Sequence, residues 1–327
     1  MQRAASRGYN RYMAALEKPT DFYTREEIVA LRRMSPWRST WLVVHCWGVI
    51  FGIWAAAIVW PHAWVIVPGM FIIGARQLGL GIIGHDGAHH LLYKNHALND
   101  WVCEWLLNRP LLGASIVPYR TYHLNHHRFT QQPNDPDLPL SAPFPITRSS
   151  FRRKALRDLT GRTGLKEKGG AIRAAFGKPG DERAKRIARG VRRLGPNLLI
   201  NAVFLGGFVL AGHGYLYLLL WVVPELTWHM FISRVRNIGE HGAVPDNDDR
   251  MRNTRTTRAN LLERALIAPY FVNYHLEHHL LVSCPCYRLR EAHALLMRKG
   301  FAPRMELKPN YIAMLRHAIS KPEPVPV

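Results

Sequence analysis

The stretch TWLVVHCWGVIFGIWAAAIVW, residues 40–60, decides the fold because it combines membrane-spanning length with a complete lack of Asp, Glu, Lys and Arg. A helix needs about 20 mostly apolar residues to cross a hydrocarbon layer roughly 30 Å thick. The stretch AWVIVPGMFIIGARQLGLGIIG, residues 63–84, follows after two residues and has a single charge, Arg76. A second pair of such stretches occupies residues 195–214 and 215–233. The sequence therefore predicts an all-α membrane protein with four transmembrane helices in two hairpins.

The charge distribution predicts how these helices are oriented. The 327-residue chain has 44 Lys and Arg against 23 Asp and Glu, a formal charge of +21. The short connectors at residues 61–62 and 212–214 contain none of these basic residues. Because Lys and Arg collect on the cytoplasmic side of a membrane, we expect a multi-pass protein of a bacterial inner membrane with both termini and the metal site in the cytoplasm. A soluble protein with long buried helices is the less favoured alternative.

The basic segment between the hairpins, residues 148–193, could by itself suggest nucleic-acid binding. Its position between membrane helices instead favours contact with anionic membrane lipids, and we expect no nucleic-acid partner. The predicted organisation is a cytoplasmic N-terminal arm (1–39), a first hairpin (40–84), a cytoplasmic segment with two histidine motifs and a basic surface (85–194), a second hairpin (195–236) and a cytoplasmic C-terminal segment with a third histidine motif (237–327). The cytoplasmic parts are expected to form a helical cap that holds the metal site.

Three histidine motifs lie at or beyond the ends of the apolar stretches: GHDGAHH, YHLNHHRFT and NYHLEHH. Their spacings of three and four residues place side chains on one face of a helix, and all three motifs fall on the same predicted side of the membrane. Asn237 and His241, again four residues apart, follow the fourth apolar stretch. Histidines clustered in this way predict a metal site. The histidines of the three motifs are His85, His89, His90, His123, His126, His127, His275, His278 and His279.

The donor set narrows the choice of metal. Neutral imidazole suits zinc, copper, iron and nickel, and eight or nine histidines are enough for two ions. The H-E-x-x-H motif of zinc proteases is absent, and copper storage would favour sulfur ligands. The four cysteines have no spacing typical of a disulfide framework, and we expect them to be reduced thiols. Two iron ions with open positions for dioxygen match the pattern best.

The three motifs, in this order around four apolar stretches, resemble the membrane fatty acid desaturase and hydroxylase superfamily. YHLEHHLLVSCPCYRLREAHALL, residues 274–296, is particularly similar to the third histidine motif of acyl-lipid desaturases, and the resemblance covers residues 41–296. It implies a diiron centre that uses dioxygen, two electrons and two protons. His90 has no counterpart in the family pattern. The positions that match the family's ligands are His85, His89, His123, His126, His127, His241, His275, His278 and His279, with Asn237 acting through water.

Four further residues have two interpretations each. Asp135 and Asp137, in QQPNDPDLP, could orient a ligating histidine by accepting its second N–H, but an Asn-Asp-Pro turn is the plainer interpretation and is slightly favoured. Arg76 and Glu225 lie inside predicted membrane helices, where ionisable groups are often functional. Both could lie near a substrate tunnel, and Arg76 could equally extend its side chain to the membrane surface.

We expect a dioxygen-dependent desaturase that introduces a double bond into a lipid-linked or thioester-linked fatty acyl chain. A hydroxylase or ketolase of a lipid or carotenoid is the alternative, because hydrogen removal at the same kind of site can end in hydroxylation. A non-catalytic metal-binding or transport protein is a third possibility, but transport predicts ligands at mid-bilayer depth. No cysteine cluster for a built-in iron–sulfur centre is present, so electrons are expected from a separate carrier such as a ferredoxin.

Overall fold

The computed structural model describes residues 17–113 and 115–323, and this part of the chain is mostly helical. The first sixteen residues of the predicted N-terminal arm, Ala114 and the last four residues lie outside it. The α-helices are Pro19–Phe22, Arg25–Leu31, Pro36–Val59, Ala63–Ala88, His96–Val102, Ile116–Phe129, Leu138–Ser141, Arg148–Leu159, Arg162–Ala175, Arg183–Leu210, Tyr215–Tyr217, Val223–Leu226, Trp228–His241, Leu261–Leu266, His275–Leu280, Leu289–Arg298 and Tyr311–Ala318. Cys103–Asn108 and Leu218–Val222 are π-helical, and Arg109–Leu111 and Cys286–Arg288 are 3-10 turns. Two short strands, Thr256–Thr257 and Leu307–Lys308, pair in parallel.

Within residues 17–113 and 115–323, four helical segments are long and apolar enough to cross a membrane: Pro36–Val59, Ala63–Ala88, Arg183–Leu210 and Tyr215–His241, here called the first to fourth spans. Their number and order agree with the prediction. The second, third and fourth spans extend beyond the predicted apolar stretches, because a helix continues where its backbone hydrogen bonds continue and not only where its side chains are apolar. As a result, His85 and His241 lie on the spanning helices themselves.

Local sequence explains where the first two spans begin and end. The Ser35 hydroxyl accepts a hydrogen bond from the Arg38 backbone N–H, and Pro36 follows at the first helical position, where its missing N–H is no loss. The helix ends just before Pro61, since a residue that precedes proline is disfavoured in helical conformation. Residues 60–62 make the turn into the second span, which starts at Ala63.

The second span is the centre of the structure. In its apolar window 67% of the residues are buried, against 11% in the third span. Small residues allow its neighbours to approach closely: a Cβ on Gly74 would lie 2.9 Å from Trp228 Cδ1, and one on Gly87 only 2.0 Å from Cys103 Sγ. The second span is therefore closely surrounded by the fourth span, the π-helical segment Cys103–Asn108 and the helix Ile116–Phe129.

Arg76 is buried within the second span, and its guanidinium points to the C-terminal segment. Its guanidinium donates hydrogen bonds to the Ala265 carbonyl at 2.8 Å and to the Tyr270 hydroxyl at 3.4 Å. Neither of the two interpretations offered for Arg76, a place near a substrate tunnel or an extended side chain at the membrane surface, is decided by these contacts. Arg76 ties the second span to the C-terminal segment.

Backbone and side-chain contacts hold the C-terminal segment together and connect it to the residues that follow the fourth span. The Thr257 N–H donates to the Asn273 carbonyl at 3.1 Å, and the fully buried Arg255 donates to the Gly242 carbonyl at 2.8 Å. Arg255 also forms an ion pair with Glu306 at 3.0 Å. These contacts hold the helix His275–Leu280 beside the end of the fourth span.

Candidate metal centre

The nine histidines that match the family's ligands come together in two groups. Within each group, one ring nitrogen from every member lies within 4.8 Å of the others. Group one consists of His85, His89, His123, His127 and His278. Group two consists of His126, His241, His275 and His279.

The two H-x-x-H-H motifs each contribute to both groups, and helical geometry explains how. Residues four apart lie on nearly the same face of a helix, whereas a residue three apart is rotated to the other side of that face. In the second motif, the i and i+4 histidines join group one and the middle histidine joins group two. In the third motif the assignment is reversed: His275 and His279 join group two, and His278 joins group one. Both helices therefore lie between the two groups.

The ring nitrogens of group one face one another. His123 Nε2 lies 2.9 Å from Nε2 of His89 and of His127, and His127 Nε2 lies 2.9 Å from His278 Nε2. His85 Nε2 is buried and has no hydrogen-bond partner among the described residues. A neutral imidazole has one N–H and one lone pair. An Nε2 atom that faces two other Nε2 atoms can therefore form a hydrogen bond with only one of them. Lone pairs directed at a shared cation would satisfy this arrangement.

Group two shows the same convergence and adds hydrogen-bond acceptors behind it. His275 Nε2 lies 2.8 Å from His241 Nε2 and 3.0 Å from His279 Nε2. The Thr130 hydroxyl donates to a backbone carbonyl and lies 3.1 Å from His279 Nδ1, so it accepts the imidazole N–H. Glu240 Oε2 lies 3.5 Å from His275 Nδ1.

Asp135 supplies a further acceptor to group two. Its Oδ1 lies 2.8 Å from His126 Nδ1, and both side chains are almost completely buried. The same carboxylate accepts hydrogen bonds from the backbone N–H groups of Gln131 and Asp137. The favoured interpretation of Asp135 as a turn residue was thus incomplete, because this carboxylate also fixes the orientation of a site histidine. Asp137 lies farther from His126 Nδ1, at 3.7 Å, and accepts a hydrogen bond from the Tyr122 hydroxyl.

Burial keeps the site histidines outside the spans in their neutral form. It lowers the pKa of His89 to about 4. Burial, with neighbouring histidines as a second cause, also lowers the pKa of His123, His127 and His278 well below the usual range. Metal ligation requires an unprotonated imidazole nitrogen. The residues present therefore fit two metal ions that bind through nitrogen.

A sequence comparison identifies the family. The family described as Fatty acid desaturase matches residues 61–308, a range that contains all nine histidines. The chain belongs to the fatty acid desaturase family. This fatty acid desaturase homologue is also similar to the dihydrorhizobitoxine desaturase of Bradyrhizobium elkanii, with 28% identity over 251 residues that cover 73% of this chain and 70% of that protein. Its family, its relative and its four apolar helices indicate an integral membrane oxidoreductase of the desaturase type.

Asn237 and His90, the two remaining candidates near the desaturase-type site, have different outcomes. Asn237 lies one helical turn before His241 on the fourth span and is partly buried, and its action through a water molecule stays a prediction. His90, which has no family counterpart, belongs to neither group. Its ring stacks on His96 with centroids 4.0 Å apart.

Sequence reasoning missed two acidic residues that lie beside the histidines of this desaturase-type site, Glu277 and Asp86. Glu277, between the ligating positions of the third motif, is fully buried and accepts hydrogen bonds from the Thr256 hydroxyl and from His293 Nδ1. Asp86 accepts a hydrogen bond from the Cys286 N–H at 2.8 Å. The usable signal was the position of each acid next to a motif histidine, in HD and HLEHH.

Proposed function

We propose that this protein is a dioxygen-dependent membrane desaturase that forms a carbon–carbon double bond at a diiron centre held by the nine histidines. The observation that carries the proposal is the convergence of neutral imidazoles in two adjacent groups within a desaturase-family chain. In the balanced reaction, –CH2–CH2–, dioxygen, two electrons and two protons give –CH=CH– and two water molecules. Iron, when bound, would activate dioxygen for removal of hydrogen from an unactivated C–H bond, which side chains alone cannot achieve.

The protein's own residues would bind the two iron ions and orient the histidine ligands. The histidines of group one and group two would each hold one iron. Asp135 and Thr130 would fix the tautomers of His126 and His279, so that Nε2 of each presents its lone pair to the metal. The buried surroundings would keep bulk water away from the reacting centre.

We further propose that the substrate is an acyl or alkyl chain and that electrons come from a separate carrier such as a ferredoxin. The name of the Bradyrhizobium relative gives dihydrorhizobitoxine as its substrate, so our proposal leaves the length of the chain open. The basic segment 148–193 would face the cytoplasm, where it could dock an acidic carrier or contact anionic lipids.

The test is reconstitution with defined metals. Metal-free protein in lipid nanodiscs, reloaded with iron and supplied with reduced ferredoxin, dioxygen and a cell extract as substrate source, should give a product two mass units lighter than its precursor. Protein reloaded with zinc should give none. A product that gains one oxygen atom would indicate the alternative hydroxylase, and full activity in protein without iron would contradict the diiron proposal.

A further inference from the structure

A cavity of about 260 Å³ opens beside group one and reaches His85. One part of its wall is apolar, formed by Leu78, Ile82 and Leu111. At Gly81 the wall is open, because a Cβ built on this residue would meet no atom within 4 Å.

Three polar side chains on the wall have groups without a partner among the described residues. The hydroxyl of Tyr119 and the amide of Asn108 form no hydrogen bond with the described part of the chain. His229 Nδ1 is buried and likewise unpartnered. Burial raises the pKa of Tyr119 to about 12, so its hydroxyl keeps its proton and can donate. The Tyr119 ring also stacks on His123 of group one, with an interplanar angle of 11°.

Two cations complete the polar part of the wall. Lys168, from the helix Arg162–Ala175, forms an ion pair with Glu225 at 2.5 Å and also donates to the Leu111 carbonyl. An ammonium group has three N–H donors, so one remains for a ligand. Arg236 forms an ion pair with Glu240 through Nε and Nη2, which leaves Nη1 unused in that pair.

A long hydrocarbon chain is a poor match for these groups. It would cover the Tyr119, Asn108 and His229 groups without offering them hydrogen bonds, and unmade hydrogen bonds in a buried site are costly. A larger groove of about 440 Å³ has a wholly apolar lining, including Trp47, Phe51 and Phe204, but it contains none of the nine histidines. Hydrocarbon chains fit that groove, whereas the cavity at His85 fits a smaller molecule with oxygen atoms.

We infer that the substrate is a short molecule with oxygen acceptor groups, such as hydroxyl, ether or carboxylate oxygens, and not a long unsubstituted acyl chain. It would place its saturated carbon–carbon bond next to group one and its oxygens on Tyr119, Asn108 and Lys168. The inference rests on the proposed desaturase function and specifies its substrate class.

The test uses a strain of the source organism that lacks the gene, complemented with the full-length protein. Mass spectrometry compares the water-soluble extract and the fatty acids released from lipids, and searches for compound pairs that differ by two hydrogens. We expect the pair in the water-soluble extract. A pair confined to long acyl chains would overturn the inference and leave the desaturase proposal standing. A pair that differs by one oxygen would instead contradict the desaturase proposal itself.

Two variants connect the product to the cavity. Gly81→Leu should fill the cavity and lower product formation by at least about tenfold, with the iron content unchanged. Gly48→Leu is the matched control, since Gly48 is also an exposed glycine in a spanning helix with no atom within 4 Å of an added Cβ. Full product formation by Gly81→Leu would overturn the assignment of the substrate to this cavity.

A third variant tests the role of an unpartnered group. Tyr119→Phe keeps the ring that stacks on His123 and removes only the hydroxyl. The loss of one hydrogen bond to the substrate should lower conversion at limiting substrate by roughly three- to tenfold, again with unchanged iron content. Wild-type conversion by Tyr119→Phe would show that this hydroxyl does not bind the substrate.

Discussion

The two histidine groups use the same side chain in different surroundings. Group two has four histidines, and hydrogen-bond acceptors stand behind two of them, Asp135 and Thr130, while Nδ1 of His241 is buried without a partner among the described residues. Group one has five histidines, and in two of them, His127 and His278, the outer Nδ1 is buried without a partner among the described residues. Group one also borders the cavity at His85, whereas no histidine of group two lines it. On the proposed function, group two would hold its metal through oriented histidines, while group one would face the substrate.

The largest effect is expected from the removal of one ligand in each group. His275→Ala leaves three imidazoles in group two, and His278→Ala leaves four in group one. Both variants should lose more than about 100-fold in activity. Mutation of a residue that only supports a ligand already lowers metal affinity or activity by about 10- to 100-fold, and loss of the ligand itself should cost more. Iron measured by mass spectrometry should fall further in His275→Ala. His213→Ala, outside both groups, is the control, and equal iron loss in the two ligand variants would break the comparison.

The next effect concerns the acceptors behind group two. Asp135→Asn should weaken metal binding by roughly 10- to 100-fold, because His126 loses the carboxylate that fixes its tautomer. Asp137→Asn is the matched control, since Asp137 lies 3.7 Å from the same nitrogen instead of 2.8 Å. Metal titration of both variants measures the effect. If the two substitutions weaken binding equally, the shorter contact has no special role.

A smaller effect, shared by both groups, is expected at Glu277. Glu277→Gln disturbs a buried acceptor of two hydrogen bonds on the helix that supplies both groups, and should lower the free energy of unfolding by about 1–3 kcal/mol. Glu291→Gln, which removes an exposed ion pair with Arg288, should cost less than about 1 kcal/mol. Thermal unfolding of the metal-free proteins in detergent compares them. Equal stability of the two variants would contradict a structural role for Glu277.

The last effect is absent at neutral pH and appears only in acidic solution. In the metal-free folded protein His89 stays neutral down to about pH 4, whereas in the unfolded chain it takes up a proton below about pH 6.5. The unfolded state therefore binds more protons in this window, and stability should fall as the pH drops from about 6.5 to about 4. Unfolding midpoints of wild-type protein and His89→Asn should converge on acidification. Parallel curves would show that His89 is not buried as described.

The sequence was a good guide to the site because its signals are local. Histidines three and four residues apart share a helix face, and this spacing, together with the resemblance to the desaturase family that left out His90, selected all members of the two groups. The same spacing also indicates which group each histidine joins. His275 and His279 are four residues apart and join one group, whereas His278, which lies between them in the sequence, joins the other. The four spans were found for the same reason, as uninterrupted apolar stretches.

The remaining features depend on contacts between distant segments. Thr130 meets His279 across 149 positions of the chain, and no pattern in the sequence near either residue indicates this contact. Asp135 was recognised as a candidate, but turn chemistry and histidine orientation produce the same local sequence. The cavity wall combines residues of the second span, the fourth span and the helix Arg162–Ala175, so it exists only after these elements pack.

Anomalous diffraction at the iron absorption edge, recorded on the active protein, tests the central claim most directly. The account predicts two iron peaks, one surrounded by the nitrogens of group one and one by those of group two. A single peak, or peaks that lie away from these nine histidines, would contradict it.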